Sequence, residues 1–210
     1  PGVAQTGASV DAALVGHRLI RAGEHELAIK AFSRAALEDG LTSEILLGLG
    51  SAYLGLGRVG QAEQLLRDAV AKDERSPEAW NNLGQVYMAQ DKLPEAEHAF
   101  QTALDTLTYL NPARAALHLA QLYRQTGETK KAVDMTQKAL QENERFLPAH
   151  LFLNELLVAQ GRIEKALTHL QKAESIFPDQ PQILLALAEN NLRLGNTVYA
   201  RTWFERILTV

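Results

Sequence analysis

The sequence predicts an all-α fold, a solenoid of six stacked helix pairs. Three observations carry this. The 210-residue chain repeats itself about every 34 residues. Each repeat carries a Gly or Asp at one fixed place, dividing two stretches of helical periodicity. Small and large residues recur at matching positions on both sides of that divider. Aligned on it, the segments start at Ser9, Ser43, Pro77, Ala113, Leu147 and Pro181, with spacings of 34, 34, 36, 34 and 34. Pro1–Ala8, small and polar and without an initiator Met, is expected to be a flexible tail of a processed or truncated chain. No apolar h-region precedes it. Residues 9–210 are expected to form one solenoid.

Each segment predicts a first helix, a tight loop and a second helix, every helix about 12–14 residues long. The loop residue, position 15, is Gly23, Gly57, Asp91, Gly127, Gly161 and Gly195, residue types that accept the left-handed backbone of a helix end. Pro77, Pro148 and Pro181 fall at or beside the start of a first helix and Pro94 near the start of a second, where a missing N–H costs nothing. In the second helices position 20 is always Ala (Ala28, Ala62, Ala96, Ala132, Ala166, Ala200). In the first helices position 8 is Gly16, Gly50, Gly84, Ala120, Asn154 and Ala188. Small residues at these two positions let the paired helices cross closely. Bulky residues fill the space beside them: Val15, Leu49, Leu83, Leu119, Leu153 and Leu187 at position 7, and Phe32, Leu66, Phe100, Leu170 and Phe204 at position 24.

Composition bounds the function. Twenty-one Lys and Arg against 25 Asp and Glu give a net charge of −4, too acidic for a dedicated nucleic-acid binder. The charge is uneven, with 9 basic and 15 acidic residues in 1–105 against 12 and 10 in 106–210. No apolar run approaches 18 residues, so no transmembrane helix is expected. The absence of Cys removes disulfides, zinc–thiolate sites and thiol catalysis.

The pattern resembles the tetratricopeptide repeat family over residues 9–210. Segment three carries the signature most fully, with Trp80, Leu83, Gly84, Tyr87, Ala96, Phe100 and Ala103 in the family's order. The resemblance implies a right-handed superhelix with a concave groove lined by the first helices. Thr136 at a usually bulky position and Asn191 in place of Tyr depart from the pattern, so looser packing is expected there.

At 100° per residue, positions 2, 5, 9, 12 and 13 of each first helix face away from its partner helix. They form two apolar stripes flanking a polar one. Around segments three and four this face mixes amide, apolar and charged groups: Asn81, Asn82, Gln85, Met88, Leu117, Gln121 and Arg124. Amides can pair with a peptide backbone while Met88 and Leu117 adapt to its side chains, so these seven are the candidate partner-binding residues. The competing reading makes positions 5 and 12 simple core between repeats. No segment has Lys or Arg at position 5 or Asn at position 9, so the family's carboxylate clamp is absent. Only Asn82 occupies position 6 as an Asn, so there is no asparagine ladder.

No catalytic signature appears. The six His show no metal-ligand spacing, and there is no nucleophile elbow, phosphate loop or dinucleotide fingerprint. The chain reads as a non-catalytic interaction scaffold with no cofactor and no metal.

The two extra residues between segments three and four give Ala103-Leu-Asp-Thr-Leu-Thr-Tyr109-Leu-Asn-Pro112-Ala-Arg-Ala. Six repeats with Tyr six and Pro nine residues after the helix-ending Ala resemble the bacterial type IV pilus pilotin lipoproteins, whose stretch runs A-L-x-x-P-L-Y-x-T-P-E-x-A. Tyr109 and Pro112 match, Asn111 stands for the Thr, and Leu107 and Thr108 replace Pro-Leu. That resemblance implies a lipid anchor on the periplasmic side of the outer membrane and a secretin subunit as partner, delivered and assembled there. The alternative is a general adaptor, cytoplasmic or membrane-associated, for a complex such as polysaccharide export or organelle assembly. At the C-terminal end no capping helix follows Val210. Tyr199, Trp203 and Leu208 are therefore expected to form an apolar patch for a partner or a weak self-contact.

Overall fold

A computed structural model describes residues 7–209, and within them the chain is twelve α-helices without a strand. It divides into two compact units, Pro1–Leu110 and Asn111–Val210, at the two-residue insertion. The first holds α1 (Gly7–Arg21), α2 (His25–Asp39), α3 (Ser43–Gly55), α4 (Val59–Lys72), α5 (Pro77–Ala89) and α6 (Leu93–Asp105). The second holds α7 (Pro112–Gln125), α8 (Thr129–Glu142), α9 (Leu147–Ala159), α10 (Ile163–Ile176), α11 (Pro181–Arg193) and α12 (Thr197–Ile207). Of the expected tail, Pro1–Thr6 lies outside the described residues, and Gly7 and Ala8 belong to the first turn of α1.

The turns inside the pairs close as their sequences require. Gly57 has φ +69°, its N–H donates to Leu54 O at 2.9 Å, and Arg58 N–H donates to Tyr53 O at 2.9 Å. These two bonds take up carbonyls that the end of α3 leaves open. Asp91 makes the same turn at φ +60°, with Asp91 N–H on Met88 O and Lys92 N–H on Tyr87 O. At helix starts, Thr42 Oγ1 accepts from Ile45 N–H and Ser76 Oγ from Ala79 N–H, each at 3.3 Å. Pro77 follows Ser76 in the first helical turn.

All six position-20 alanines are completely buried. Position 8, however, meets position 24 of its own pair. A Cβ on Gly84 would stand 2.6 Å from the Phe100 ring, one on Gly50 2.6 Å from Leu66 Cγ, and one on Gly16 2.7 Å from the Phe32 ring. The large residue lies across the bare glycine backbone. In α7 and α8 the same positions are Ala120 and Thr136, both fully buried, and in this pair a small position 24 accompanies a position 8 that carries a Cβ. Thr136 Oγ1 donates to Ala132 O at 2.7 Å and so is satisfied inside its own helix.

Within each unit a first helix that follows a pair packs on two second helices, α3 on α2 and α4, and α9 on α8 and α10. This buries positions 3 and 10 as well: Ile45, Ala52, Ala79, Val86, Ala149, Leu156 and Ile183. In α1, Val15 is 46% exposed, because no helix lies before it among the described residues. The core of the first two pairs gathers Phe32, Ile45, Leu49 and Ala52 between α2 and α3. That of the last two gathers Leu170, Ala173, Ile183 and Leu187 between α10 and α11. Burying each such Leu or Phe contributes about 1.5–3 kcal/mol.

Candidate functional site

The seven candidate residues fall in both units, four on α5 and three on α7. On α5, Asn82 is the hub. Its Oδ1 accepts from Asn81 Nδ2 at 3.3 Å and from Gln85 Nε2 at 3.2 Å. Its own Nδ2 donates to Ser51 Oγ on α3 at 2.7 Å, and Ser51 Oγ donates to Leu47 O at 2.6 Å. A hydrogen-bonded chain thus runs from α5 across to α3 and fixes the amide of Asn82. Asn81 is only 2% exposed, so it belongs to the packing between repeats and is not a contact residue. Gln85 and Met88 are half-buried. Gln85 commits one N–H to Asn82, leaving its carbonyl for a ligand. The polar chain with Gln85 and Met88 beside it presents amide and thioether groups together, a surface suited to an extended backbone with small apolar side chains.

On α7, Leu117 is 5% exposed and is core, as the competing reading of position 5 has it. Gln121 is half-buried. Arg124 is exposed, donates from Nη1 to Glu155 Oε2 on α9 at 2.7 Å, and stacks its guanidinium 4.5 Å from the centre of the Phe152 ring. An exposed pair of this kind contributes about 0.2–1 kcal/mol but gives Arg124 a preferred direction.

Three participants were not singled out from the sequence. Ser51 was visible only as one polar residue of position 9. Asn190 Nδ2 donates to Asn154 Oδ1 at 2.7 Å, joining α11 to α9 across successive repeats. The signal for that bond was Asn at position 8, where the other repeats carry Gly or Ala. Among the described residues no group of three or more His, Asp or Glu is placed to hold a metal ion, and no helix is long and apolar enough to cross a membrane.

The C-terminal patch differs from expectation in one residue. Tyr199 is 67% and Leu208 86% exposed, with Val198 also exposed. Trp203 instead packs inward against the cluster of Leu170, Ala173, Ile183 and Leu187. The Arg206 guanidinium covers its ring at 5.6 Å, itself held by Glu174 at 2.7 Å and Asp179 at 2.6 Å. Phe204, expected to face α11, is partly exposed in its place.

The family described as the cilia and flagella-associated protein 70 C-terminal domain, a tetratricopeptide-repeat domain, matches residues 8–182, and the tetratricopeptide repeat matches residues 157–209. The chain belongs to the tetratricopeptide repeat family. Among curated relatives, the anaphase-promoting complex subunit CDC16 of Saccharomyces cerevisiae is 25% identical over 187 residues, 87% of this chain and 22% of that protein. Lipopolysaccharide assembly protein B of Escherichia coli is 23% identical over 205 residues, 93% of this chain and 52% of that protein. The chain therefore spans between about a fifth and a half of these relatives. Among solved structures, PilW, a type IV pilus biogenesis factor, has a TM-score of 0.82 at 21% identity, covering 97% of this chain and 94% of that one. Pseudomonas aeruginosa PilF has a TM-score of 0.79 at 18% identity, covering 93% and 88%. At these identities the two structures establish the fold. As a tetratricopeptide repeat chain it is a scaffold for protein interactions.

Proposed function

We propose that this tetratricopeptide chain is a non-catalytic adaptor of type IV pilus biogenesis that helps a secretin subunit reach and assemble in the outer membrane. On this reading it is lipid-anchored on the periplasmic side of that membrane, and its partner segment lies along the Asn82–Gln85–Met88 face. The observation that carries the proposal is the insertion. In residues 106–111 Tyr109 turns inward and is buried, its N–H on Thr106 O at 3.0 Å, while Leu107 and Leu110 are fully exposed on either side. Pro112 then opens α7. The Tyr and Pro that match the pilotin stretch are thus the structural pair of this loop, in a chain of six helix pairs.

Deleting the gene in its own host tests this. The expected result is loss of high-mass secretin multimers from the outer membrane, restored by the wild-type gene. Unchanged multimers in the deletion strain overturn it. The match to lipopolysaccharide assembly protein B across 93% of the chain favours a second reading, an adaptor of envelope polysaccharide assembly. Under that reading the deletion leaves the secretin intact and alters lipopolysaccharide instead.

A further inference from the structure

The second unit carries a trough on the side of α9 away from Leu151, Glu155 and Val158. Its floor is Leu153 and Leu157 of α9 with Val133 of α8, part of one apolar cluster. Its far wall is α10. Arg162, Lys165, Thr168, His169 and Lys172 line a cavity of about 290 Å³, and no carboxylate does. The trough continues past Gln137, His169 and Lys172 into a wider space of about 650 Å³ reaching Gln141, Glu144 and Ile176.

The three cations are uncommitted to acids. Arg162 Nη1 donates to the neutral Gln160 Oε1 at 3.0 Å, and neither Lys165 nor Lys172 forms an ion pair among the described residues. Lys165 on α10 stands about one turn from Arg162, the residue just before that helix, and like charges so placed repel, so the helix gains nothing from them on its own. The back of the trough is closed by a histidine pair. His150 Nε2 is 2.8 Å from the carbonyl of Glu144, an acceptor only, so that nitrogen carries the proton. His150 Nδ1 then accepts from His169 Nε2 at 3.2 Å, and the rings stack at 5.0 Å. Burial holds His169 down to about 4, so its ring is neutral near pH 7.

An apolar floor, a neutral back wall and a rim of three unpaired cations complement one kind of ligand. We propose that the α8–α10 trough is a second docking site, taking a partner segment that sets one apolar side chain over Val133, Leu153 and Leu157 and carboxylates against Arg162, Lys165 and Lys172. The volume suits this occupant. The part over Val133, Leu153 and Leu157, at about 290 Å³, lies at the lower bound of ligand pockets, roughly 300–1,000 Å³, enough for a single large side chain, and the wider space beside it leaves room for the flanking residues. The chemistry differs from the amide face of α5, so the two surfaces select different segments.

A displayed library of random heptapeptides, selected on the whole chain, tests the proposal, with affinities of the selected peptides read by fluorescence anisotropy. The expected enrichment is Leu, Ile or Phe flanked by Asp or Glu. Lys165→Glu with Lys172→Glu weakens those peptides at least tenfold, and Thr168→Trp, which plugs the mouth, abolishes them. Lys72→Glu with Lys130→Glu makes the same charge change elsewhere and leaves affinity unaltered. Asn82→Ala with Gln85→Ala also leaves it unaltered, which separates this site from the α5 face. All the altered residues are at least partly exposed, and melting curves verify that each variant is folded. Enrichment without acidic bias, or equal affinity for wild type and the α10 variants, overturns the proposal.

Discussion

Gly84→Ala tests the crossing of α5 and α6 directly. In an isolated helix the change favours folding by about 0.8–1.0 kcal/mol. Here the new Cβ stands 2.6 Å from Phe100 Cδ1, whereas carbon atoms rest at about 3.5–4.0 Å. Phe100 is completely buried, so the ring cannot swing into solvent and the helices must part by about 1 Å. Overpacking of this kind costs about 1–3 kcal/mol, leaving a net loss of about 1 kcal/mol after the helix preference. Phe100→Thr alone removes a buried ring, at about 3–5 kcal/mol. The double variant recreates the combination found at Ala120 and Thr136, and the strain of the first change disappears in it. The double should therefore cost less than the two singles together by about 1–2 kcal/mol. Urea unfolding reads this cleanly, because the two tryptophans lie one in each unit. In a Trp203→Phe background the fluorescence of Trp80 reports α5 and its surroundings. Additivity within about 0.5 kcal/mol would refute the assignment of glycine as the seat of the ring.

Asp91→Gly relieves a left-handed backbone at φ +60° and should raise the urea midpoint, with a gain of about 0.5–1 kcal/mol. Asn82→Ala breaks the bond to Ser51 Oγ and should lower stability by about 1 kcal/mol, measured by the Trp80 signal. Acidification should weaken the second unit. Burial, reinforced by Arg114, holds His118 down to about 4, and burial with the nearby His150 does the same for His169. Unfolded histidine titrates near 6.5, so between about pH 6.5 and 4 the unfolded chain binds more protons, and stability present above that window is lost as pH falls through it. Urea midpoints from Trp203 fluorescence at pH 7 and 5 check this, and His118→Gln should reduce the difference.

The helix pairs, their turns and the alanines of position 20 were legible because each rests on a residue type that recurs every repeat. The depth of a side chain was less so. Asn81 and Gln85 look alike as polar residues of one helix face, yet Asn81 is buried and Gln85 half-exposed, a distinction that depends on how closely α3 lies beside α5. For that reason Gln85 and Met88, not Asn81, are the residues to alter when binding is tested. Positions 3 and 10 escaped notice because their partner is the preceding repeat, and Arg18 and Asn190 break the apolar run there. Trp203 and Phe204 were exchanged in role because they are neighbours in sequence. A small rotation of α12 decides which ring meets the cluster at Leu170, and helical periodicity alone does not set that rotation.

The seating of position 24 on position 8 has a consequence for how such a chain is inherited. In the first four pairs the two residues that match in size belong to the same pair, sixteen residues apart, so a whole repeat can be duplicated or exchanged with the match intact. A genetic crossover joining α7, with Ala120, to α6, with the buried Phe100, would meet the clash described above, whereas the last pair carries Ala188 with Phe204 because that ring is partly exposed. Phe32 is the exception, since its ring also presses on Gly48 of the following pair, at 2.3 Å from where a Cβ would stand. That junction must travel as a block of two. Recombination breakpoints among related chains should therefore fall in the loops between pairs, and avoid the one after α2.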